Sequence, residues 1–382
     1  MSTNTSKDFP SKSFIFVLEN LRIGGIQRLA LDECYQLIAW GHEATIISLS
    51  PNLDGDNMLE TDGDFPLSGN LKIIHLDQSK KTHLKYFLKL LSSKPKGTLI
   101  VSHSASAAPI LRIASIILKK NVKITLFIHQ LLTLSDSKQK IKRFIYSSFA
   151  NEIAFSSNQF LLDWQFEFTR NKMLRLLMNK KLNFDRMGVY LPRLKWGEVN
   201  GASLCLSDNP HLIFMSRISS WKGLEDYIEI CRRNLNDNLH AIAFISRTNR
   251  SELFNPDEFD SSISHVVYEK GLTSVSVNPR SIHIYPSNYG PEVRFPQSIG
   301  MNVLEMVGRN IPSLISPEGF ETWPEFKESQ LVKVVDWSVA TEVDSTILSM
   351  LNLSPEDRIK EKTRLESVIS IEEHAKRIIK RH

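Results

Sequence analysis

The chain is 382 residues long, which points to two domains rather than one. Apolar residues make up 42% and charged residues 23%, the ordinary balance of a soluble globular protein, and no apolar run approaches the ~20 residues that a transmembrane helix needs. Cys34, Cys205 and Cys231 are scattered without Cys-x-x-Cys spacing, which argues against a disulfide framework or a zinc site and for a reducing cytoplasm.

The N-terminal MSTNTSKDFPSKS has no apolar core and reads as a polar tail rather than a signal peptide. SFIFVL, residues 13–18, then reads as a buried strand. Gly24 and Gly25 follow it and open a helical pattern from Ile26 to Trp40, with Leu29, Ala30, Cys34, Leu37 and Ile38 at 3–4 spacing and Gly41 as the stop. ATIISL (44–49) is the next strand. Further strands are predicted at 71–76, 98–102, 123–129 and 152–156, with helices between them. The pattern restarts at 212–216, 241–246, 265–268, 281–285, 313–316 and 331–335, with helices from about Gly223, Ser298 and Val339. Alternating strands and helices imply parallel sheets covered on both faces. Pro, Gly, Asn and Ser gather between Leu191 and Pro210 as a linker, so the expected domains are 1–192 and 193–382. The charged terminal segment RIKEKTRLESVISIEEHAKRIIKRH forms one or two helices that have the option of packing back on the first domain.

The net charge is +5, but between Arg112 and Arg186 there are 14 Lys/Arg against 5 Asp/Glu, a local +9 that leaves −4 elsewhere. KKNVK (119–123), KQKIKR (138–143) and RNKMLRLLMNKK (170–181) carry it, with Phe144, Ile145, Met173, Leu174, Leu177 and Met178 interleaved. This suits a helix on an anionic membrane surface, and equally a solvated helix face with a buried stripe. No nucleic-acid motif accompanies the charge.

Two parallel-sheet domains in tandem bind ligands beyond the carboxyl ends of their strands. Three features lie at such ends. Arg217 just past a strand and Lys222 at a helix entrance are placed to neutralise a diphosphate, or are solvated loop charges. Gly300, Met301 and Asn302 stand where a loop becomes a helix, whose unpaired N–H groups and dipole suit an anionic or hydroxyl-rich ligand. Glu305, a turn later, is able to accept hydrogen bonds from a pair of sugar hydroxyls, or is a surface carboxylate at a helix start. His129 ends ITLFIH, able to hydrogen-bond a hydroxyl over the sheet edge or to serve as a structural partner for a backbone carbonyl; His103, ending LIVSH, has the same ambiguity. The glycine pair does not complete Gly-x-Gly-x-x-Gly, and no Gly-x4-Gly-Lys-Ser/Thr loop appears, which disfavours a dehydrogenase and a P-loop kinase. Asp54, Asp56, Asp62 and Asp64 read as turn chemistry.

These segments resemble those of the family 4 retaining nucleotide-sugar glycosyltransferases, across nearly the whole chain. GGIQRLALDECYQLIAWGHEATIISL (24–49) is similar to their first glycine loop, helix and second strand. MSRISSWKG (215–223) is similar to their Arg-x4-Lys diphosphate motif, and QSIGMNVLE (297–305) to their Glu-x7-Glu motif. The resemblance implies an α/β GT-B fold, two Rossmann-like parallel-sheet domains facing a central cleft. It also implies donor contacts from Gly24, Gly25, Arg217, Lys222, Gly300, Met301, Asn302 and Glu305, with His129 beside the transferred sugar as a catalytic residue. No metal and no cofactor are implied; the donor is itself the nucleotide-diphosphate sugar. A glycan or lipid-linked acceptor, peripheral contact with an anionic membrane and a cytoplasmic location are the expected setting. One departure stands out. The first Glu of the Glu-x7-Glu motif is Gln297, catalytic in position but unable to carry charge or act as a base. Gln297 keeps in play a silent sugar-nucleotide-binding or scaffold homologue; a third reading, a nucleotide-sugar epimerase, needs catalytic carboxylates that the sequence does not identify.

Overall fold

The structure is a computed structural model. It describes residues 12–21, 25–50, 71–76, 80–129, 132, 135–172, 175, 187–189, 209–217, 222–236, 238–246, 261–268, 278, 280–287, 300–317 and 323–380. The chain divides into two compact units, one of Met1–Leu59, Phe65–Arg193 and Ile371–His382, the other of Glu60–Asp64 and Leu194–Ser370. Of the predicted linker between Leu191 and Pro210, residues 191–208 lie outside the described residues, as do the four aspartates at 54–64.

The first unit is built on one parallel sheet. Its strands are β1 (Ser13–Leu18), β2 (Glu43–Ser48), β3 (Leu71–His75), β4 (Leu99–Ser102), β5 (Lys123–Ile128), β6 (Glu152–Phe155) and β7 (Met187–Val189), in spatial order β3-β2-β1-β4-β5-β6-β7. All its registered pairs are parallel. Every residue of β1 is buried, as a central strand covered on both faces requires. The helices α1 (Gly25–Ala39), α2 (Lys80–Ser93), α3 (Ala107–Ile117), α4 (Ser137–Ser147) and α5 (Asn158–Arg170) connect the strands. β7 was not among the predicted strands, since three residues carry no readable period.

The second unit repeats the plan. Strands β8 (His211–Arg217), β9 (His240–Ser246), β10 (Ser264–Tyr268), β11 (Ile282–Tyr285), β12 (Ser313–Ile315) and β13 (Val332–Val334) form a parallel sheet in the order β10-β9-β8-β11-β12-β13. Helices α6 (Leu224–Asn234), α7 (Met301–Gly308), α8 (Ala340–Leu351) and α9 (Pro355–Val368) belong to it. Strand alternation sorts the core. Leu212 and Phe214 pack toward Tyr227 and Ile230 of α6 and Val343 and Ile347 of α8, while Ile213 and Met215 pack with Met306 of α7. The Tyr227 hydroxyl donates to the carbonyls of Leu212 (2.8 Å) and Ile242 (3.1 Å), fixing α6 against β8 and β9. In both sheets the strand order reverses beside the first strand, between β1 and β4 and between β8 and β11, the switch point of a doubly wound fold.

The last helix, α10 (Ile371–Lys380), belongs to the first unit, where Ala375, Ile378 and Ile379 enter the core with Ala30, Leu31 and Cys34 of α1. Cys34 and Cys231 are buried free thiols, and burial, then the charge of Glu33, pushes the Cys34 thiol well up. The basic stretch is partly structural. The Lys120 ammonium donates to the carbonyls of Leu91 (2.6 Å), Ser92 (2.9 Å) and Lys94 (2.5 Å) around the end of α2, and Lys140 pairs with Glu167 at 2.8 Å. Phe144 is fully buried against Trp164 and Phe168, whereas Ile113, Ile116, Ile117 and Ile145 are exposed. No helix among the described residues is long and apolar enough to cross a membrane.

Candidate functional site

In the second unit, Lys222 follows the end of β8 and Gly223 is the cap of α6. Gly223 has φ +69 and ψ 36, the left-handed region, and any Cβ there would collide with the carbonyl of Pro286, the residue after β11. That glycine therefore lets the Lys222 turn lie directly on the exit of β11. The consequence is visible in Lys222, only 8% exposed for a residue type almost never buried unless paired. Its Nζ donates to the Tyr285 hydroxyl at 2.5 Å and lies 4.9 Å from that ring's centroid, so the ammonium approaches the hydroxyl rather than the ring face.

Tyr285 also marks the start of α7. A Cβ on Gly300 would fall 2.9 Å from the Tyr285 hydroxyl and collide with the Asn302 amide oxygen, so Gly300 is glycine for space, its φ of −64 being ordinary. The Asn302 side chain donates to the Met215 carbonyl near the end of β8. Lys222, Tyr285, Gly300 and Asn302 thus converge at the carboxyl ends of β8 and β11, beside the N-terminal end of α7. An ammonium and a helix N-terminus converge there, which is the electrostatics of an anion site.

Of the other predicted donor-side residues, Arg217 is the last residue of β8, Gly25 and Met301 are the first residues of α1 and α7, and Glu305 is half-buried on α7. Gly24 and Gln297 lie outside the described residues.

In the first unit, His129 sits just past β5, partly exposed. Its Nε2 lies 2.9 Å from Nδ1 of His103, which sits just past β4, and the two rings are 19° from coplanar. His129 is therefore paired to another imidazole. The chain continues inward. His103 Nε2 lies 3.5 Å from one carboxylate oxygen of Glu33 on α1, and the other oxygen takes a 2.6 Å contact from His374 Nε2 on α10. The Glu33 and His103 side chains are fully buried. Burial raises the Glu33 pKa, but hydrogen bonds from His103 and His374 outweigh it and bring the carboxyl down to about 2. Burial, then the neighbouring His103, lowers His129 to about 3, so His129 is neutral at physiological pH. Phe127 stacks on both rings, at 5.1 Å from His103 and 6.0 Å from His129. Nearby on the same sheet edge, Glu19 accepts from Ser104 at 2.6 Å and Ser106 at 3.2 Å. Among the described residues, no group of His, Cys, Asp and Glu has the arrangement to hold a metal ion.

Sequence reading missed Tyr285, Glu33 and His374. Glu33 had a usable signal, since an acid at 33 adjoins Cys34 inside the Leu29, Ala30, Leu37 stripe. His374 had one too, on the Ile371, Ala375, Ile378 face. Tyr285 had none beyond ending an apolar run.

No family model matches this sequence, and no curated protein matches it. Solved structures do match in fold. HepE from Anabaena, determined in complex with UDP-glucose, superposes with a TM-score of 0.65 at 12% identity, covering 96% of this chain and 98% of that one. A glycosyltransferase from Rickettsia africae gives 0.67 at 15%, covering 97% and 98%. The lipopolysaccharide outer core galactosyltransferase WaaB gives 0.56 at 9%, covering 96% and 99%. Two successive Rossmann-like parallel sheets, matched over nearly the full length of these proteins, make the fold of this chain GT-B.

Proposed function

We propose that this chain is a retaining glycosyltransferase that moves a sugar from a nucleotide-diphosphate donor to a glycan or lipid-linked glycan, in bacterial surface polysaccharide assembly such as lipopolysaccharide or capsule. The observation that carries the reading is the buried Lys222 ammonium held on Tyr285 beside the start of α7. A buried cation at a helix N-terminus is suited to the β-phosphate that must leave with the nucleotide. Arg217 at the end of β8 adds the second cation, and Glu305 the acceptor for ribose hydroxyls. His129 stands by the transferred sugar. Front-face displacement with retention of configuration accords with a site whose devices are leaving-group stabilisers. That the similar folds include proteins solved with UDP-glucose and UDP makes uridine donors the first to try.

The acceptor side is read from the first unit. Exposed Ile113, Ile116 and Ile117 end α3 next to Lys119, a grouping suited to the cytoplasmic face of an anionic membrane, where a lipid-linked acceptor would be presented.

The test is a panel of nucleotide sugars scored by thermal stabilisation, followed by release of nucleoside diphosphate on adding acceptor. A donor at 100 times its dissociation constant adds about 2.7 kcal/mol. No stabilisation by any nucleotide sugar would sink the reading. Gln297 supports a second reading, a silent donor-binding homologue. In that case wild type binds donor without turnover, and Gln297→Glu gains it. In the active case Gln297→Ala costs about 1–3 kcal/mol of transition-state stabilisation.

A further inference from the structure

Four titratable side chains from four segments meet in the first unit: Glu33 on α1, His103 after β4, His129 after β5 and His374 on α10. Ordinary packing does not place a carboxylate there. A fully buried acid is retained only where its partners compensate its desolvation. Proton counting shows what these partners impose. Glu33 is ionised and accepts only. His374 must present N–H from Nε2 to one oxygen, at 2.6 Å. His103 Nε2 faces the other oxygen at 3.5 Å, where a bare lone pair would oppose the carboxylate charge, so its ring proton belongs on Nε2. With one proton on that ring, His103 Nδ1 has only a lone pair to offer. His129 Nε2, 2.9 Å away, must then be the donor. The nitrogen left over on His129, Nδ1, is an acceptor.

We propose that Glu33, acting through His103, is a positioning residue that holds His129 with its proton on Nε2 and its lone pair on Nδ1, so that His129 accepts a hydrogen bond from a sugar hydroxyl. The second half rests on the glycosyltransferase reading; the first does not. The stacking of Phe127 on both rings fixes the orientation in which the relay acts. Charge change and proton transfer have no part in this role. The carboxylate selects one of two neutral tautomers, as second-sphere carboxylates do for other functional histidines.

The proposal makes an unusual prediction for Glu33→Gln. The amide oxygen takes the place facing His374 Nε2–H, which puts the amide NH2 opposite His103 Nε2. That nitrogen must then give up its proton, His103 becomes the Nδ1–H tautomer, and His129 is forced into the opposite tautomer with its proton on Nδ1.

The experiment is long-range proton–nitrogen correlation NMR on nitrogen-15 histidine-labelled full-length protein, at a pH well above the ordinary histidine range. Signals are assigned by loss in His129→Gln. Wild-type His129 is expected to show a pyrrole-type Nε2 and a pyridine-type Nδ1, and Glu33→Gln the reverse. His103→Phe keeps the stack but removes the relay, and should leave His129 as a tautomer mixture. In turnover, Glu33→Gln should lower kcat about tenfold or more with KM for the nucleotide sugar little changed. A wild-type His129 protonated on Nδ1, or one indifferent to both substitutions, overturns the proposal. Should Glu33→Gln not fold, the wild-type and His103→Phe spectra still decide it. Intact tautomers in a wild type without turnover would overturn the glycosyltransferase reading and the hydroxyl contact with it, and leave the positioning standing.

Discussion

The two sheets share the order of their first six strands, yet the carboxyl ends of those strands are filled in opposite ways. After β4 and β5 in the first unit stand His103 and His129, closed inward onto Glu33 and His374. After β8 and at the end of β11 in the second unit stand Lys222 and Tyr285, beside the start of α7. The first arrangement turns its polar groups on one another, the Glu33 carboxylate facing the imidazoles of His103 and His374. The second gathers a buried ammonium at the start of α7, and so is suited to receive an anion. A doubly wound fold supplies the location, and the residues after its strands decide whether that location holds itself together or holds a ligand.

The largest expected effect separates turn geometry from charge. Gly223→Ala adds a Cβ in the left-handed region and drives it into the Pro286 carbonyl. Backbone strain there costs about 1–3 kcal/mol and the collision adds to it. Gly41 in the first unit, with φ +83, has nothing within 4 Å of its would-be Cβ. Gly41→Ala should cost only the strain of about 1–2 kcal/mol. Urea unfolding of the two variants measures the difference, and equal losses would remove the close approach of the Lys222 turn to β11.

Next comes the cation itself. Lys222→Met keeps the stem but removes the charge, and charge-assisted contacts to phosphate contribute about 1.5–3 kcal/mol. Calorimetry with a nucleoside diphosphate should therefore show affinity lower by about tenfold or more. Tyr285→Phe, which frees the ammonium from its hydroxyl partner, should change affinity less. Unchanged binding in Lys222→Met would take Lys222 out of the site.

How far the sequence carried is visible in these same residues. Parallel strands were legible because both faces are buried, so β1 and β8 read as unbroken apolar runs. The donor-side corner was half legible. Lys222 and Gly300 lie on spacings that a strand–loop–helix unit makes readable. Tyr285 is brought to them by the parallel pairing of β11 with β8, at a sequence distance no local pattern spans. The imidazole chain was least legible, because it draws on four segments with Glu33 and His374 separated by 341 residues. Its strand-end members His129 and His103 were readable as such, while Glu33 and His374 offered only a polar residue on an apolar helix stripe.

Acid should act on both units, through a neutral histidine in each and a buried carboxylate in the first. Burial holds His283 of β11 at about 3, against its usual 6.5. Below 6.5 the unfolded chain binds a proton that the folded chain refuses, so stability falls as the pH drops toward about 3, by up to about 1.4 kcal/mol per pH unit. Glu33 sits at about 2 against its usual 4.5, so its contribution is full above 4.5 and is lost only as the pH falls from there. Melting temperatures across this range should decline in two stages. His283→Asn should make the upper stage shallower without abolishing it, since His129 is also held at about 3 and shares that window, while a single decline confined to the carboxylate range would contradict the neutral histidines.

The smallest expected effect is none at all. If the ammonium of Lys222, the guanidinium of Arg217 and the end of α7 neutralise the leaving diphosphate, turnover has no need of a divalent ion at that phosphate. A metal-bridged diphosphate requires a carboxylate to hold the metal, whereas Glu305, on the first turns of α7, is read as a partner for ribose hydroxyls. Donor turnover should then be equal with and without EDTA, while rising salt, which screens the same cations, should weaken donor binding progressively. Loss of turnover in EDTA, restored by magnesium or manganese, would show that the second unit does not supply the charge by itself, and the contrast drawn between the two strand-end sites would have to be redrawn around a bound ion.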